Sequence, residues 1–224
     1  MQNAAVELQG VTKSFGRTIA VDRLDLAVPE GSIYGFIGPN GSGKTTTLRL
    51  MLRIFQPDAG RVVVLGSEVG NVADDRLGYL PEERGLYKRM KVIDVIEYFA
   101  RLKGCFACRE AAHEWLKRLD AATWANRRVD TLSKGMAQKV QFIVAVIARP
   151  RLLILDEPFA GLDPVNMDLL KEAVLSLRES GPSANLLAPV VVNLRNGRAV
   201  QAISERGDYS HRYALEPEEA AVCS

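Results

Sequence analysis

The sequence predicts an α/β fold, with an antiparallel β layer at the N-terminus, a buried parallel strand, and a helical region between the two. Three observations carry this reading. Residues 38–45 form a glycine-rich loop set between a short apolar strand and a helix; residues 152–155 are a continuous apolar run; and apolar residues recur at helical spacing from about Lys91 to Ala148.

Each element has its own signal. Val6-Glu7-Leu8 and the stretch from Ile19 to Val28 alternate in polarity and are broken by Gly10, Gly16 and Pro29-Glu30-Gly31, which predicts the antiparallel layer. Ile33 to Ile37 reads as a short buried strand, and Thr46 to Arg53 carries Leu48, Leu50, Met51 and Leu52 as a helix would. Gln56-Pro57-Asp58-Ala59-Gly60 is a turn, and Arg61 to Leu65 a further strand. Val92, Val95, Ile96 and Phe99, then Trp115, Leu116 and Leu119, recur at helical spacing. Leu152-Leu153-Ile154-Leu155 has the texture of a strand covered on both faces. No internal repeat or low-complexity linker interrupts the chain.

The loop Gly38-Pro39-Asn40-Gly41-Ser42-Gly43-Lys44-Thr45 fits the phosphate-binding pattern G-x-x-x-x-G-K-[ST] at every fixed position, in the strand, loop, helix context the pattern requires. Its glycines let backbone N–H groups close around phosphate oxygens, at the positive end of the following helix. Lys44 would place a point charge on the β- and γ-phosphates, the Thr45 hydroxyl would take one position on Mg²⁺, and Thr46 continues the nucleotide-binding stretch. A nucleoside triphosphate is the expected ligand, with Mg²⁺.

The apolar run ends in Asp156-Glu157-Pro158, which puts two carboxylates at the carboxyl end of a buried strand, where ligands sit in open α/β sheets. Asp156 would hold the Mg²⁺, and Glu157 would polarise a water for attack on the γ-phosphate. Taken alone, two acids in this place would more often cap the next helix; paired with the phosphate loop, the metal and catalytic roles take precedence.

Composition bounds the rest. The chain has 224 residues, 47% of them hydrophobic and 25% charged, with 29 basic and 27 acidic side chains and a formal charge of +2. This suits one domain with a lobe, and no strongly basic surface points to nucleic acid. No run approaches the ~18 apolar residues of a membrane span, and the N-terminus lacks a secretion pattern, so a cytosolic location is expected. Three cysteines argue against a disulfide scaffold; Cys105 and Cys108, with His113 beyond, form a lone C-x-x-C pair read as buried or bystander thiols rather than as a metal or redox centre.

At Thr131-Leu132-Ser133-Lys134-Gly135-Met136-Ala137-Gln138 the chain resembles the signature sequence of ATP-binding cassette (ABC) ATPases, usually LSGGQ. Phe159 to Pro164 is similar to the D-loop of that family, and Gly78-Tyr79-Leu80-Pro81-Glu82 to its Q-loop, with glutamate for glutamine. The resemblance covers roughly residues 6 to 182. Leu80 to Tyr87 together with Leu-Ser-Lys-Gly-Met resembles in particular the nucleotide-binding subunits of ABC-2 type exporters, including sodium and drug efflux systems.

That resemblance implies a P-loop NTPase core with a mixed sheet, an N-terminal antiparallel β layer and an inserted helical subdomain. It implies one ABC ATPase domain over residues 1–224, with residues 1–82 and 150–224 as core and 83–149 as the signature-bearing lobe. Phe15 would stack on adenine. Ser133 and Gly135 would contact the γ-phosphate of ATP held by a second copy of the cassette. Glu82 would join Thr45 and Asp156 near the metal and couple nucleotide state to a membrane-spanning permease docked by the lobe. Such a subunit sits in the cytoplasm, attached peripherally to the inner face of the membrane. The basic residues Arg84, Lys88, Arg89 and Lys91 could join that docking surface or form a merely solvated face.

One part of the pattern breaks. The family's switch histidine is expected near position 189, which holds Pro189, while His113 and His211 lie elsewhere. Between Gly181 and Gly197 the chain reads as some ten residues shorter than the family, on matching the stretch from Val190 to Arg198 with the strand before a Gly-Arg turn. Slow turnover, an altered chain, or a tail that returns His211 to the site are the explanations, the last ranking lowest. Losing a positioning clamp would slow phosphoryl transfer far more than ATP binding. The expected function is thus an ATP-binding and hydrolysing subunit that powers an exporter, with a regulatory module that dimerises on ATP but hardly hydrolyses it as the alternative. A soluble ATPase acting on DNA or ribosomes is a third and weaker reading.

Overall fold

A computed structural model of the chain describes residues 4–37, 39, 41–68, 75–83, 85–179 and 190–194. In chain order the elements are β1 (Ala4–Phe15), β2 (Thr18–Pro29), β3 (Ile33–Ile37), α1 (Lys44–Met51), β4 (Ala59–Val64), β5 (Ser67–Glu68), β6 (Leu77–Leu80), α2 (Val92–Leu102), α3 (Arg109–Arg118), α4 (Lys134–Val146), β7 (Leu152–Asp156), α5 (Pro164–Glu179) and β8 (Val190–Leu194). Parallel and antiparallel pairings are segregated into two sheets. One has the order β2-β1-β4-β5 with every pair antiparallel, and the other has the order β3-β8-β7-β6 with every pair parallel.

β7 shows why its sequence is apolar throughout. Leu152 and Ile154 enter a core shared with α1 and the antiparallel sheet, while Leu153 and Leu155 enter a second core shared with α2, α3, α4 and α5. Successive residues of a strand face opposite sides, so a strand between two cores has no polar face to show.

The helical region grows from local signals. Ser133 caps α4 by accepting a hydrogen bond from the Met136 N–H at 3.3 Å. Asp163 does the same for α5, accepting from the Asn166 N–H at 3.1 Å, with Pro164 in the first helical position, where its missing N–H costs nothing. The first amides of α2 are satisfied by the carbonyls of Arg127 and Ala125, which docks α2 on the segment leading to α4.

One expectation needs correction. Cys105 and Cys108 are joined as a disulfide across Cα atoms 6.0 Å apart, not held as separate thiols. The turn at Gly104 (φ 76°) brings Cys105 back to the residue that precedes α3, so two cysteines three apart can meet. Val190–Leu194 is seated between β3 and β7 in the parallel sheet. Gly38, Asn40, Arg84, Pro189 and His211, and with them the shortened stretch after Gly181, lie outside the described residues apart from that strand.

Candidate functional site

The parallel sheet assembles the motifs at one edge. In register, Phe36 of β3 sits beside Asn193 of β8, and Asn193 beside Asp156 of β7. The chain entering the phosphate loop and the acids ending β7 are therefore two strand spacings apart, about 10 Å. β6 lies on the other side of β7, with Leu80 beside Leu155, so Glu82 follows at the same edge.

Within the loop, the Pro39 carbonyl accepts from the Ser42 N–H at 3.4 Å, the Ser42 hydroxyl at 2.9 Å and the Lys44 ammonium at 2.6 Å. Gly41 (φ 83°) and Gly43 (φ 79°) take the left-handed conformation that the tight loop demands. A Cβ on Gly43 would run into the Ala20 carbonyl of β2, so the loop is pressed against the antiparallel sheet as well. α1 begins directly at Lys44, which is 7% exposed, and Thr45 and Thr46 follow in its first turn. The unpaired N–H groups at a helix start favour an anion there.

Asp156 is 1% exposed and Glu157 8%, a rare degree of burial for two adjacent carboxylates. Glu157 has φ 49°, a left-handed backbone that costs a non-glycine residue of order 1 kcal/mol or more and breaks β7 at its acid end. Glu82 is exposed.

Phe15, 45% exposed at the end of β1, is held by two neighbours. Phe55 meets it edge to face with ring centres 5.2 Å apart, and the Lys13 ammonium lies 5.7 Å from its ring centre. Asp58 fixes the approach, accepting from the Lys13 ammonium at 2.7 Å and the Ser14 N–H at 2.6 Å, and these bonds hold its carboxyl below the usual range.

Ser133 and Gly135 lie elsewhere, in an open pocket of about 520 Å³ whose lining includes Lys134, Lys139, Trp124, Gly161 and Asp163 but none of the described residues of the phosphate loop. The first turn of α4 and the segment at Gly161 are meshed through their glycines. A Cβ on Gly135 would come within 3.2 Å of the Leu162 side chain, and one on Gly161 within 3.0 Å of the Lys134 stem. Lys139, under the pocket, donates to the Leu119 carbonyl at 2.8 Å and sits 5.5 Å from the Trp124 ring centre; burial lowers its pKa.

The family profile described as ABC transporter matches residues 21–160, well over half of the chain. This chain belongs to the ABC transporter family. It is 53% identical over 176 residues to the uncharacterized ABC transporter ATP-binding protein YhaQ of Bacillus subtilis, a match that covers 77% of the chain and 59% of that relative. It is 35% identical over 191 residues to the daunorubicin resistance ATP-binding protein DrrA3 of Streptomyces coeruleorubidus, covering 83% of the chain and 60% of that protein. The chain thus spans about three fifths of the length of these relatives. Among solved structures it resembles the dimeric, post-hydrolysis ATP-binding cassette MJ0796 bound to ADP and Pi, with a TM-score of 0.75, 25% identity, and coverage of 85% of this chain and 88% of that one.

In this ABC chain the donors at the sheet edge suit Mg²⁺. The Thr45 hydroxyl and the carboxylates of Asp156 and Glu82 are hard oxygen ligands, and no cluster of three or more His, Cys, Asp or Glu among the described residues forms a closed cage for a metal. A small ion that keeps waters and shares phosphate oxygens fits such a sparse set.

Two residues of this ABC chain escaped the sequence reading. Gln138 and Gln141, both buried and three apart on α4, donate to the Pro158 and Glu83 carbonyls, each at 3.2 Å. They tie the signature helix to the chain just after Glu157 and just after Glu82. The signal in the sequence is two amides on a largely apolar helix; burial of a polar side chain implies a partner it must reach.

Proposed function

We propose that this chain binds Mg·ATP at the carboxyl edge of the parallel sheet, hydrolyses it, and powers a membrane-spanning exporter as one of a pair of cassettes. The observation that carries the reading is the common edge, with the loop after β3 and the buried acids ending β7 two strands apart. In this reading residues 38–46 hold the phosphates, Lys44 neutralises the β- and γ-phosphates, and Phe15 stacks on the base. When bound, Mg²⁺ would offset the charge of the phosphates. Thr45 and Asp156 would hold it, with Glu82 beside them. Glu157 orients water and takes its proton.

Ser133 and Gly135 lie in a pocket apart from the loop, which supports completion of each site by a second copy, as does the dimeric state of the MJ0796 cassette. Residues 83–149 would form the lobe facing the permease. Similarity to a drug-resistance protein supports export. Among the described residues no helix is long and apolar enough to cross a membrane.

Phosphate release measured beside ATP binding tests the proposal. Glu157→Gln is expected to retain binding and to lose turnover by about 10²–10⁴-fold. Lys44→Ala is expected to weaken binding by roughly tenfold to a hundredfold. Unchanged ATP affinity in Lys44→Ala would overturn the site assignment. Binding without turnover in the unsubstituted chain would favour a regulatory module that dimerises on ATP, the reading suggested by the absence of histidine at position 189.

A further inference from the structure

Phe15 ends a strand of the antiparallel sheet, while the phosphate loop follows a strand of the parallel one. The span from a base on Phe15 to phosphates in the loop is therefore fixed by contacts between distant segments. The chain after α1 supplies them. α1 starts at the loop with Lys44, has eight residues, and is closed by a Schellman pattern: the Arg53 N–H donates to the Leu50 carbonyl at 3.1 Å and the Ile54 N–H to the Arg49 carbonyl at 2.9 Å. Arg53 takes the left-handed conformation (φ 61°) that glycine commonly fills at this place, a strain that persists only where the surroundings hold it. The Phe55 N–H also donates to the Arg49 carbonyl, at 3.2 Å, so the backbone of Phe55 is built onto the last turn of the helix that begins at Lys44.

The Phe55 side chain is half-buried and packs on the core shared with the antiparallel sheet. Its ring meets Phe15 with centres 5.2 Å apart and planes at 68°, the edge-to-face arrangement that aromatic rings favour. The Arg49 guanidinium carbon lies 5.8 Å from the Phe55 ring centre, within cation–π range, and so braces that ring from α1. Three residues on, the Asp58 N–H donates to the Thr12 carbonyl at 2.8 Å, and its carboxylate holds Lys13 and the Ser14 N–H. The stretch from Arg53 to Asp58 thus grips the end of α1 on one side and the last turn of β1 on the other.

We propose that Phe55 is a positioning residue for base recognition: it holds the Phe15 ring at a set distance from the phosphate loop, so that the site favours a nucleoside triphosphate over a bare polyphosphate. An exposed ring at the end of a strand is free to change rotamer, and a ligand that must order it pays that entropy on binding. The edge-to-face contact orders the ring beforehand, and Phe15 at 45% exposure still has surface to offer a base. Asp58 fixes the backbone that carries Phe15; Phe55 fixes its ring. An aliphatic side chain would fill the same space without the electrostatic preference that sets the angle between two rings. The inference rests on the stacking role of Phe15 proposed above.

The test compares two ligands and is independent of turnover. Affinity is measured by calorimetry for ATP and, through displacement of ATP, for inorganic tripolyphosphate, which carries the phosphates without ribose or base. Phe55→Leu, which keeps an apolar side chain, is expected to weaken ATP binding by about three- to tenfold, the worth of one edge-to-face pair, and to leave tripolyphosphate binding within about twofold. Phe55→Tyr, which keeps the ring, should bind ATP as the parent chain does. A loss of equal size for both ligands in Phe55→Leu, or no recovery in Phe55→Tyr, would make the contact merely structural and overturn the proposal. Unchanged ATP affinity in Phe55→Leu would do the same, provided that Phe15→Ala in the same assay weakens ATP binding and spares tripolyphosphate. If Phe15→Ala leaves ATP binding as it was, the stacking role itself is wrong and the inference falls with it.

Discussion

Asp58 shows how one exposed carboxylate can matter to a binding site without touching ligand. Its bonds to Lys13 and the Ser14 N–H fix the last turn of β1, where Phe15 presents its ring. The pair is solvent-exposed, so its worth is small. Asp58→Asn is expected to weaken ATP binding by about two- to fivefold, the range of an exposed ion pair, with turnover at saturating ATP unchanged. The pH dependence follows from the direction of the shift. Because the folded carboxyl titrates below its ordinary value of 3.8, its contribution is complete above that value and is lost only as pH falls through the folded pKa. The difference between Asp58→Asn and the parent chain should therefore be flat from about pH 5 to 8. A difference that shrinks across that interval, followed by nucleotide titration at each pH, would rule out the ion pair as its cause.

At the scale of elements, β6 illustrates what close packing demands of one residue. Gly78 lies where β6 crosses the end of α4, and an added Cβ would meet the Ala145 carbonyl at 2.5 Å, Pro150 at 2.7 Å and Leu153 at 2.9 Å. A backbone carbonyl cannot swing away as a side-chain tip can. Gly78→Ala is expected to destabilise the fold by about 1–3 kcal/mol, seen as a lowered melting temperature. An unchanged melting curve would mean that β6 and α4 are less tightly apposed than described. Other elements were legible in the sequence because their signals are local. The phosphate loop carries its own spacing and β7 its continuous apolar run. The disulfide was not legible, since whether two cysteines three apart can meet depends on the turn at Gly104. Nor was the seat of β8, because a run of valines fits any sheet slot covered on both faces, and only the assembled sheet decides which one.

For the molecule as a whole, the division of labour is spatial. Loop and acids gather at the edge of the parallel sheet, while Ser133 and Gly135 open into a pocket of their own. The residues at the edge were named from sequence because each belongs to a contiguous motif. Gln138 and Gln141 were not assigned these contacts, because their partners come from distant segments. If two copies complete one another's sites, Glu157→Gln should sediment as a dimer in Mg·ATP and as a monomer in ADP. A monomer under both conditions, with binding confirmed on the same sample, would count against paired cassettes.

The meshing of the signature loop with residues 161–162 has a mechanical consequence. Gly135 lies under Leu162, and Gly161 under the stem of Lys134, so each loop is the other's stop. Neither can slide past its neighbour without lifting it. Because Gln138 fastens the same helix to the Pro158 carbonyl, the stretch from Pro158 to Leu162 is clasped to α4 at both ends. A tilt of α4 would therefore reach this stretch as a push on the whole segment, in the manner of a key turning its bolt.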